Sequence, residues 1–332
     1  RRVHGGNTTM GHILFFAIFF VLTFLGFLYF IVRPLPTRIP IKGRHVFITG
    51  GSSGIGLSLA HAAASYGASR VSILARSSDK LADAREKIRL ASGIDVSTYV
   101  ADVRDFETVQ RAIQDASPID VLIVNHGVYT PQELAKQKLE EIRFMIDVNL
   151  MGTFNVIKAA LPAMKNRDLT CPASIALMSS QAGQVGIYGY AAYSASKFGL
   201  RGLAEALQQE VIADNIHVSL IYPPDTETPG FCEEKRVRPE ITNLIVGSSP
   251  AIGASEVAKV ALKGIQCGRF IIPCNFEGLL LALATAGLSP QNSWLTALIE
   301  VLSAGPLRFV GLIFQWQWYG IIEKWYSRRN IK

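Results

Sequence analysis

"HVFITGGSSGIG", residues 45–56, decides the fold. The run HVFIT (45–49) is short and largely β-branched or aromatic, and it leads directly into the glycine turn TGGSSGIG (49–56). A helical pattern starts near Ile55. A strand that feeds such a turn and then a helix presents unpaired N–H groups at the helix end, and glycines let that backbone approach a pyrophosphate. Gly50, Ser52, Ser53, Gly54, Ile55 and Gly56 are therefore the expected phosphate cradle. A glycine turn alone is weak evidence, since many surface turns look similar. Its place between a first strand and a first helix is what the mechanism needs.

Working outward, further strand candidates follow: RVSILA (70–75), DVSTYV (95–100), VLIVN (121–125), ASIALM (173–178), HVSLIY (217–222) and RFIIP (269–273). Helical patterns separate them, for example residues 81–91 and 138–165. This alternation predicts an α/β fold, a doubly wound Rossmann-type parallel sheet covered on both faces. No internal repeat interrupts it.

The second strand ends in LARSSDKL (74–81). NAD sites usually place an acidic residue here for the ribose 2′-hydroxyl. Here stand Arg76 and Lys80, which suit a 2′-phosphate and favour NADPH; the alternative is a solvated helix start. In ADVRD (101–105), Asp102 is placed either to accept from an adenine amino group or to cap a helix.

SSQAGQVGIYGYAAYSASKFG (179–199) supplies the chemistry. Lys197 lies one helical turn beyond Tyr193, so both side chains can share a face. A tyrosine ionises near pH 10, about three units too high for an acid–base group at neutral pH. A fixed ammonium nearby is expected to lower that value. Ser180, after the strand ASIALM, is placed to donate to a carbonyl oxygen. The three together polarise a ketone for hydride attack. Any Tyr-x-x-x-Lys pair can be a surface coincidence, but the glycine turn and upstream serine argue otherwise.

With these pieces in view, the chain resembles the short-chain dehydrogenases/reductases over roughly residues 42–273. The shared pattern is TGxxxGIG, Asn125-x-Gly127, Asn149 in DVNLMGT (147–153), Ser180, and Tyr193-x-x-x-Lys197. The resemblance implies Tyr193 as general acid, Lys197 as its partner and a ribose ligand, and Ser180 as carbonyl-orienting donor. It also implies Asn149 in a proton relay through water, Asn125 and Gly127 at the cofactor, and Thr228 in PPDTETPGF (223–231) meeting the carboxamide. His126 and Pro224 depart from the usual pattern; a packing role is expected for His126.

The ends of the chain differ from its middle. Hydrophobic residues make up 49% of the chain, and the mean hydropathy of +0.26 points to membrane contact. Residues 13–32 carry no charge over twenty positions, enough to span a hydrocarbon core, and no A-x-A-like cleavage site follows. The net charge of +7 is concentrated at the termini: Arg1, Arg2, Arg33, Arg38, Lys42, Arg44, Lys324, Arg328, Arg329 and Lys332. Without these ten, 23 basic residues face 26 acidic ones, so anionic lipid explains the excess better than nucleic acid. Met10 is a candidate start, which would remove Arg1, Arg2 and the sequon at Asn7. The four cysteines form no metal-ligand cluster and read as reduced thiols, a Cys267–Cys274 bridge being the alternative.

The expected organisation is a tail (1–12), a transmembrane anchor (13–32), a basic linker (33–44), a catalytic domain (45–273) and a hydrophobic membrane-associated region (274–332). In that last region Glu300, Pro306 and Arg308 are expected to break the apolar run, favouring a membrane-lying or re-entrant segment over a clean span. A packed helix pair is the alternative. Family resemblance further implies a long-chain sphingoid ketone substrate, an endoplasmic reticulum membrane location with the domain facing the cytosol, and a homo-oligomer formed through helices 138–165 and 192–214. Other lipophilic ketones (steroid, retinoid or 3-ketoacyl-CoA) and a non-catalytic NADP sensor remain alternatives on the residues alone.

Overall fold

Strand runs with no polar face demand cover on both sides, and the chain provides it. A computed structural model describes residues 6–32, 38–247, 250–291 and 293–330. Arg1, Arg2, Lys332 and residues 33–37 of the expected basic linker lie outside the described residues.

In chain order the elements are α1 (Gly6–Val32), β1 (His45–Thr49), α2 (Gly54–Ser65), β2 (Arg70–Ala75), α3 (Ser78–Ser92), β3 (Ser97–Val100), α4 (Phe106–Ala116) and β4 (Val121–Val124). There follow α5 (Leu139–Ile146), α6 (Gly152–Lys165), β5 (Ala173–Met178), α7 (Ala191–Val211), β6 (Ile216–Tyr222), β7 (Thr226–Glu227), α8 (Pro229–Val237) and α9 (Glu240–Val246). Finally come β8 (Ile252–Gly253), α10 (Ala254–Gln266), β9 (Ile271–Pro273), α11 (Phe276–Ala284) and α12 (Trp294–Asn330).

Seven strands form a parallel sheet in the order β3-β2-β1-β4-β5-β6-β9, while β7 and β8 make a separate short pair. Along each strand, successive side chains go to opposite faces. Phe47, Leu122, Ile175 and Leu220 pack under α4, α6 and α7. Ile48, Ile123 and Ile221 pack under α2, α3 and α10. Each fully buried Leu, Ile or Phe contributes about 1.5–3 kcal/mol to holding the layers together. The chain winds outward from β1 to β3, then crosses to β4 on the other side of β1. That reversal opens a crevice beyond the strand ends, the switch point where such sheets take ligands.

Two expectations need revision. The helical run 138–165 is not uniform: a π turn at Asp147–Met151 separates α5 from α6 and carries Asn149. More consequentially, the far end of the chain is not broken at Glu300, Pro306 or Arg308, because α12 runs through all three as one 37-residue helix. Proline forfeits one backbone hydrogen bond, which adjoining helices and local adjustment of the turn can compensate. Glu300 accepts from the Gln291 amide at 2.8 Å, so its carboxylate is not left bare.

Among the described residues, three helical stretches are by length and composition long and apolar enough to cross a membrane. His12–Val32 has a mean hydropathy of 2.7 and is wholly unburied; Trp294–Arg328 has 1.7 and is 6% buried. Leu139–Lys165, by contrast, is 44% buried and belongs to the α/β layers. Helix α12 packs on α11, α9 and α1. Arg201 of α7 also pins the α11–α12 connection, donating to the Ala286 carbonyl at 2.6 Å and the Ser289 hydroxyl at 2.8 Å. Cys171, Cys232, Cys267 and Cys274 are unbridged.

Candidate active site

The crevice beyond β1 and β4 opens into a cavity of about 1230 Å³. Its sheet side is set by register. Thr49 lies opposite Val124, so the turn after β1 meets the loop after β4. The Asn125 N–H donates to Thr49 Oγ1 at 3.0 Å, and its amide reaches the Thr49 carbonyl at 3.2 Å. Asn125 thus holds the two loops together as well as lining the cavity.

Gly50, Ser52, Ser53, Gly54 and Ile55 line the cavity as expected. Gly56 does not; it is a packing glycine. A Cβ there would lie 2.2 Å from the Gly50 carbonyl oxygen and 2.6 Å from the Asn125 amide nitrogen, so only glycine lets α2 start so close to β1. No side chain caps the α2 N-terminus at Ser53, which leaves its first-turn N–H groups available. Arg76 and Lys80 line the same cavity, and neither makes an ion pair among the described residues.

Asp102 also lines it, but its carboxylate is engaged by Arg104, with Nη2–Oδ2 at 2.7 Å. That guanidinium holds the Asp102 carboxyl below its ordinary range. The cap of α4 is Asp105 rather than Asp102, accepting from the N–H groups of Glu107 and Thr108.

The reacting end lies on α7 and the loop after β5. Lys197 is buried and donates to the Met178 carbonyl at 2.9 Å, with its ammonium 5.7 Å from the Tyr193 ring centre. Ser180 lines the same cavity and lies near enough to the Tyr193 hydroxyl to favour its ionised form. A Cβ on Gly127 would stand 3.3 Å from Lys197 Nζ, so the glycine leaves the lysine room. Tyr193 packs edge-on against Tyr129 at 6.0 Å and tilted against Tyr190 at 5.8 Å between ring centres.

The electrostatics correct one expectation. The Tyr193 phenol is not lowered: burial pushes it above its ordinary value, Ser180 offsets this in part, and the charges of Glu234, Tyr129 and Asp225 add to the rise. Lys197 is itself pulled down to about 8 by burial. Desolvation, rather than the lysine charge that sequence spacing alone brings to mind, is the largest cause of both shifts.

Asn149 departs from its expected role too. Its carboxamide bonds to both the N–H and the carbonyl of Val128 at 2.8 Å, and to Ser196 Oγ at 3.0 Å. It is fully buried and braces the loop behind Gly127, with both amide hydrogens spent on protein acceptors. Thr228 lines the cavity while its hydroxyl oxygen accepts from the Phe231 N–H at 3.1 Å, leaving its O–H free to donate. His126 packs: its ring bridges Thr49 Oγ1 at 2.8 Å and the Val148 carbonyl at 3.1 Å. Loss of hydration and the nearby Lys197 charge push it down to about 3, so the ring is neutral.

Gln184, Asp225, Glu234 and Arg238 are among the cavity residues that escaped the sequence reading. A signal for two of them was present. Glu234 and Arg238 stand four apart on a helix, the spacing of an ion pair.

Residues 44–237 match the family model described as short chain dehydrogenase. Two curated relatives come from Arabidopsis thaliana. The 3-dehydrosphinganine reductase TSC10B is 60% identical over 96% of this chain and 95% of its own length. The 3-dehydrosphinganine reductase TSC10A is 62% identical over 89% of this chain and 90% of its own. Among solved structures, a short chain dehydrogenase from Burkholderia cenocepacia J2315 in complex with NADP superposes with a TM-score of 0.63, at 24% identity, over 75% of this chain and 95% of that one. At that identity the likeness speaks for the fold.

Proposed function

The chain belongs to the short chain dehydrogenase family, and from that premise we propose that it reduces 3-dehydrosphinganine (3-ketodihydrosphingosine) to dihydrosphingosine with NADPH. What carries this is the 60% identity to a 3-dehydrosphinganine reductase over nearly the whole of both chains, with Ser180, Tyr193 and Lys197 gathered in one cavity.

The residues present fit a dinucleotide with a 2′-phosphate. The uncapped α2 N-terminus would take the pyrophosphate, Arg76 and Lys80 the extra phosphate, and Lys197 the ribose next to nicotinamide. Bound there, NADPH supplies hydride to the carbonyl carbon. Ser180 and Tyr193 hold the carbonyl oxygen and stabilise the negative charge that grows on it. Tyr193 gives that oxygen its proton. A raised phenol suits this direction, because the acid stays loaded at neutral pH and an alkoxide is a far stronger base than any phenolate. The phenolate left behind is stabilised by Ser180 and by the Lys197 ammonium.

In this reading residues 45–273 are the catalytic domain and α1 is a transmembrane anchor in the endoplasmic reticulum. Arg38, Lys42 and Arg44 on the domain side favour a cytosolic face, and unbridged cysteines accord with it. A homo-oligomer is supported by family analogy and by exposed Met151 and Phe154 beside α6. The test is NADPH oxidation by purified full-length protein in liposomes when 3-ketodihydrosphingosine is added. No oxidation, with NADPH bound, would sink the proposal.

A further inference from the structure

The cavity wall carries a charge that the chemistry above leaves unused. Arg238 donates to Asp225 through both terminal nitrogens, at 2.8 and 3.0 Å, and through Nη2 to Glu234 Oε1 at 2.6 Å. The Tyr190 hydroxyl donates to the same Glu234 oxygen. Two carboxylates against one guanidinium leave a surplus negative charge. The neighbouring cations of α8 are engaged elsewhere: Lys235 lies over the Phe231 ring, and Arg236 pairs with Glu233.

Glu234 is only 8% exposed, yet it lines the cavity. Both of its hydrogen bonds go to Oε1, so Oε2 has no partner among the described residues. A buried carboxylate with an unspent oxygen calls for a cation. A second polar group is also unspent. Gln184, 4% exposed and lining the same cavity, has neither its amide oxygen nor its amide nitrogen partnered. The cluster lies close to the reacting atoms, since Tyr190, whose hydroxyl bonds Glu234, packs with its ring centre 5.8 Å from that of Tyr193.

The ketone of the proposed substrate has an ammonium group on the adjacent carbon and a hydroxyl on the next. With the carbonyl oxygen on Ser180 and Tyr193, that ammonium lies two bonds from the reacting carbon. We propose that Glu234 is a specificity-determining residue that binds the substrate ammonium, with the Gln184 amide taking the neighbouring hydroxyl. The inference rests on the reductase reading and deepens it. Ketones without a cation would leave Glu234 Oε2 without a partner and be disfavoured, a selection against steroids, retinoids and simple 3-keto lipids.

The test compares 3-ketodihydrosphingosine with an analogue in which hydrogen replaces the amino group, using full-length protein in liposomes. Wild type should prefer the amino ketone in kcat/KM by about tenfold or more, and Glu234→Gln should abolish most of that preference. Glu234→Asp should restore much of it. Equal loss on both substrates in Glu234→Gln, with NADPH binding intact, would overturn the assignment. If that variant fails to fold, wild type decides: dihydrosphingosine should inhibit about tenfold more strongly than its uncharged N-acetyl form, and equal inhibition would overturn the assignment. Absence of turnover on either ketone by wild type would instead remove the reductase reading itself.

Discussion

Gln181 donates to the Asn275 side-chain oxygen at 2.8 Å, and through that bond the loop bearing Ser180 is tied to the first turn of α11. The same Asn275 oxygen caps α11 by accepting from the Gly278 N–H at 2.7 Å. One amide oxygen therefore serves both the reacting loop and the apolar C-terminal region.

Asn275→Ala removes the cap and the tie together. A lost cap costs about 1 kcal/mol, and the loop then loses an anchor one residue from Ser180. We expect a melting temperature lower by roughly 2–4 °C, with reduced kcat, while Asn275→Asp keeps an acceptor and retains both. Unchanged melting and turnover in the alanine variant would refute the link.

Tyr193→Phe removes the proton donor but little of the cavity wall. Turnover should fall by about 10²–10⁴-fold while fluorescence titration shows NADPH still bound. Lys197→Ala should impair both, because its ammonium has a cofactor contact and a charge role. A turnover number equal to wild type in either variant contradicts these assignments.

The pH dependence has two opposite signs. Burial brings Lys197 down to about 8 from an ordinary 10.5, so its charge is lost as pH rises through about 8. NADPH affinity and kcat/KM should therefore decline above that point. Between about 8 and 10.5 the unfolded chain holds a proton the folded one has released, so this group's contribution to stability rises with pH. Melting curves and rate profiles recorded together check both; Lys197→Met should remove its share of the stability trend.

Arg76→Ala should shift cofactor preference away from NADPH. A change of about tenfold in the NADPH-to-NADH ratio of kcat/KM corresponds to about 1.4 kcal/mol, a modest value for one contact to a phosphate. An unaltered ratio would leave Lys80 and the serines of the glycine turn as the discriminating groups.

The sheet was legible in the sequence because its strands are buried on both faces, and unbroken apolar runs such as VLIV advertise that. The glycine turn and the Tyr193–Lys197 spacing were legible because backbone approach and helical periodicity are local. What could not be read depends on distance through the fold. The direction of the Tyr193 shift is set by burial and by Asp225 and Glu234, which lie 32 and 41 positions away in the chain. Asn149 looked available in the sequence, yet both hydrogens of its amide go to Val128 and Ser196. The continuity of α12 escaped because proline and charge were weighed without the helices that support them.

Leu307, Gly311, Phe314 and Trp318 of α12 close one side of the cavity that holds Tyr193. Removing α1 and cutting the chain before Trp294 to obtain a fragment without the two long apolar helices would leave the seven-stranded sheet whole and the chamber open on that flank. Such a fragment would be suited to studying nucleotide affinity and unsuited to studying lipid selectivity.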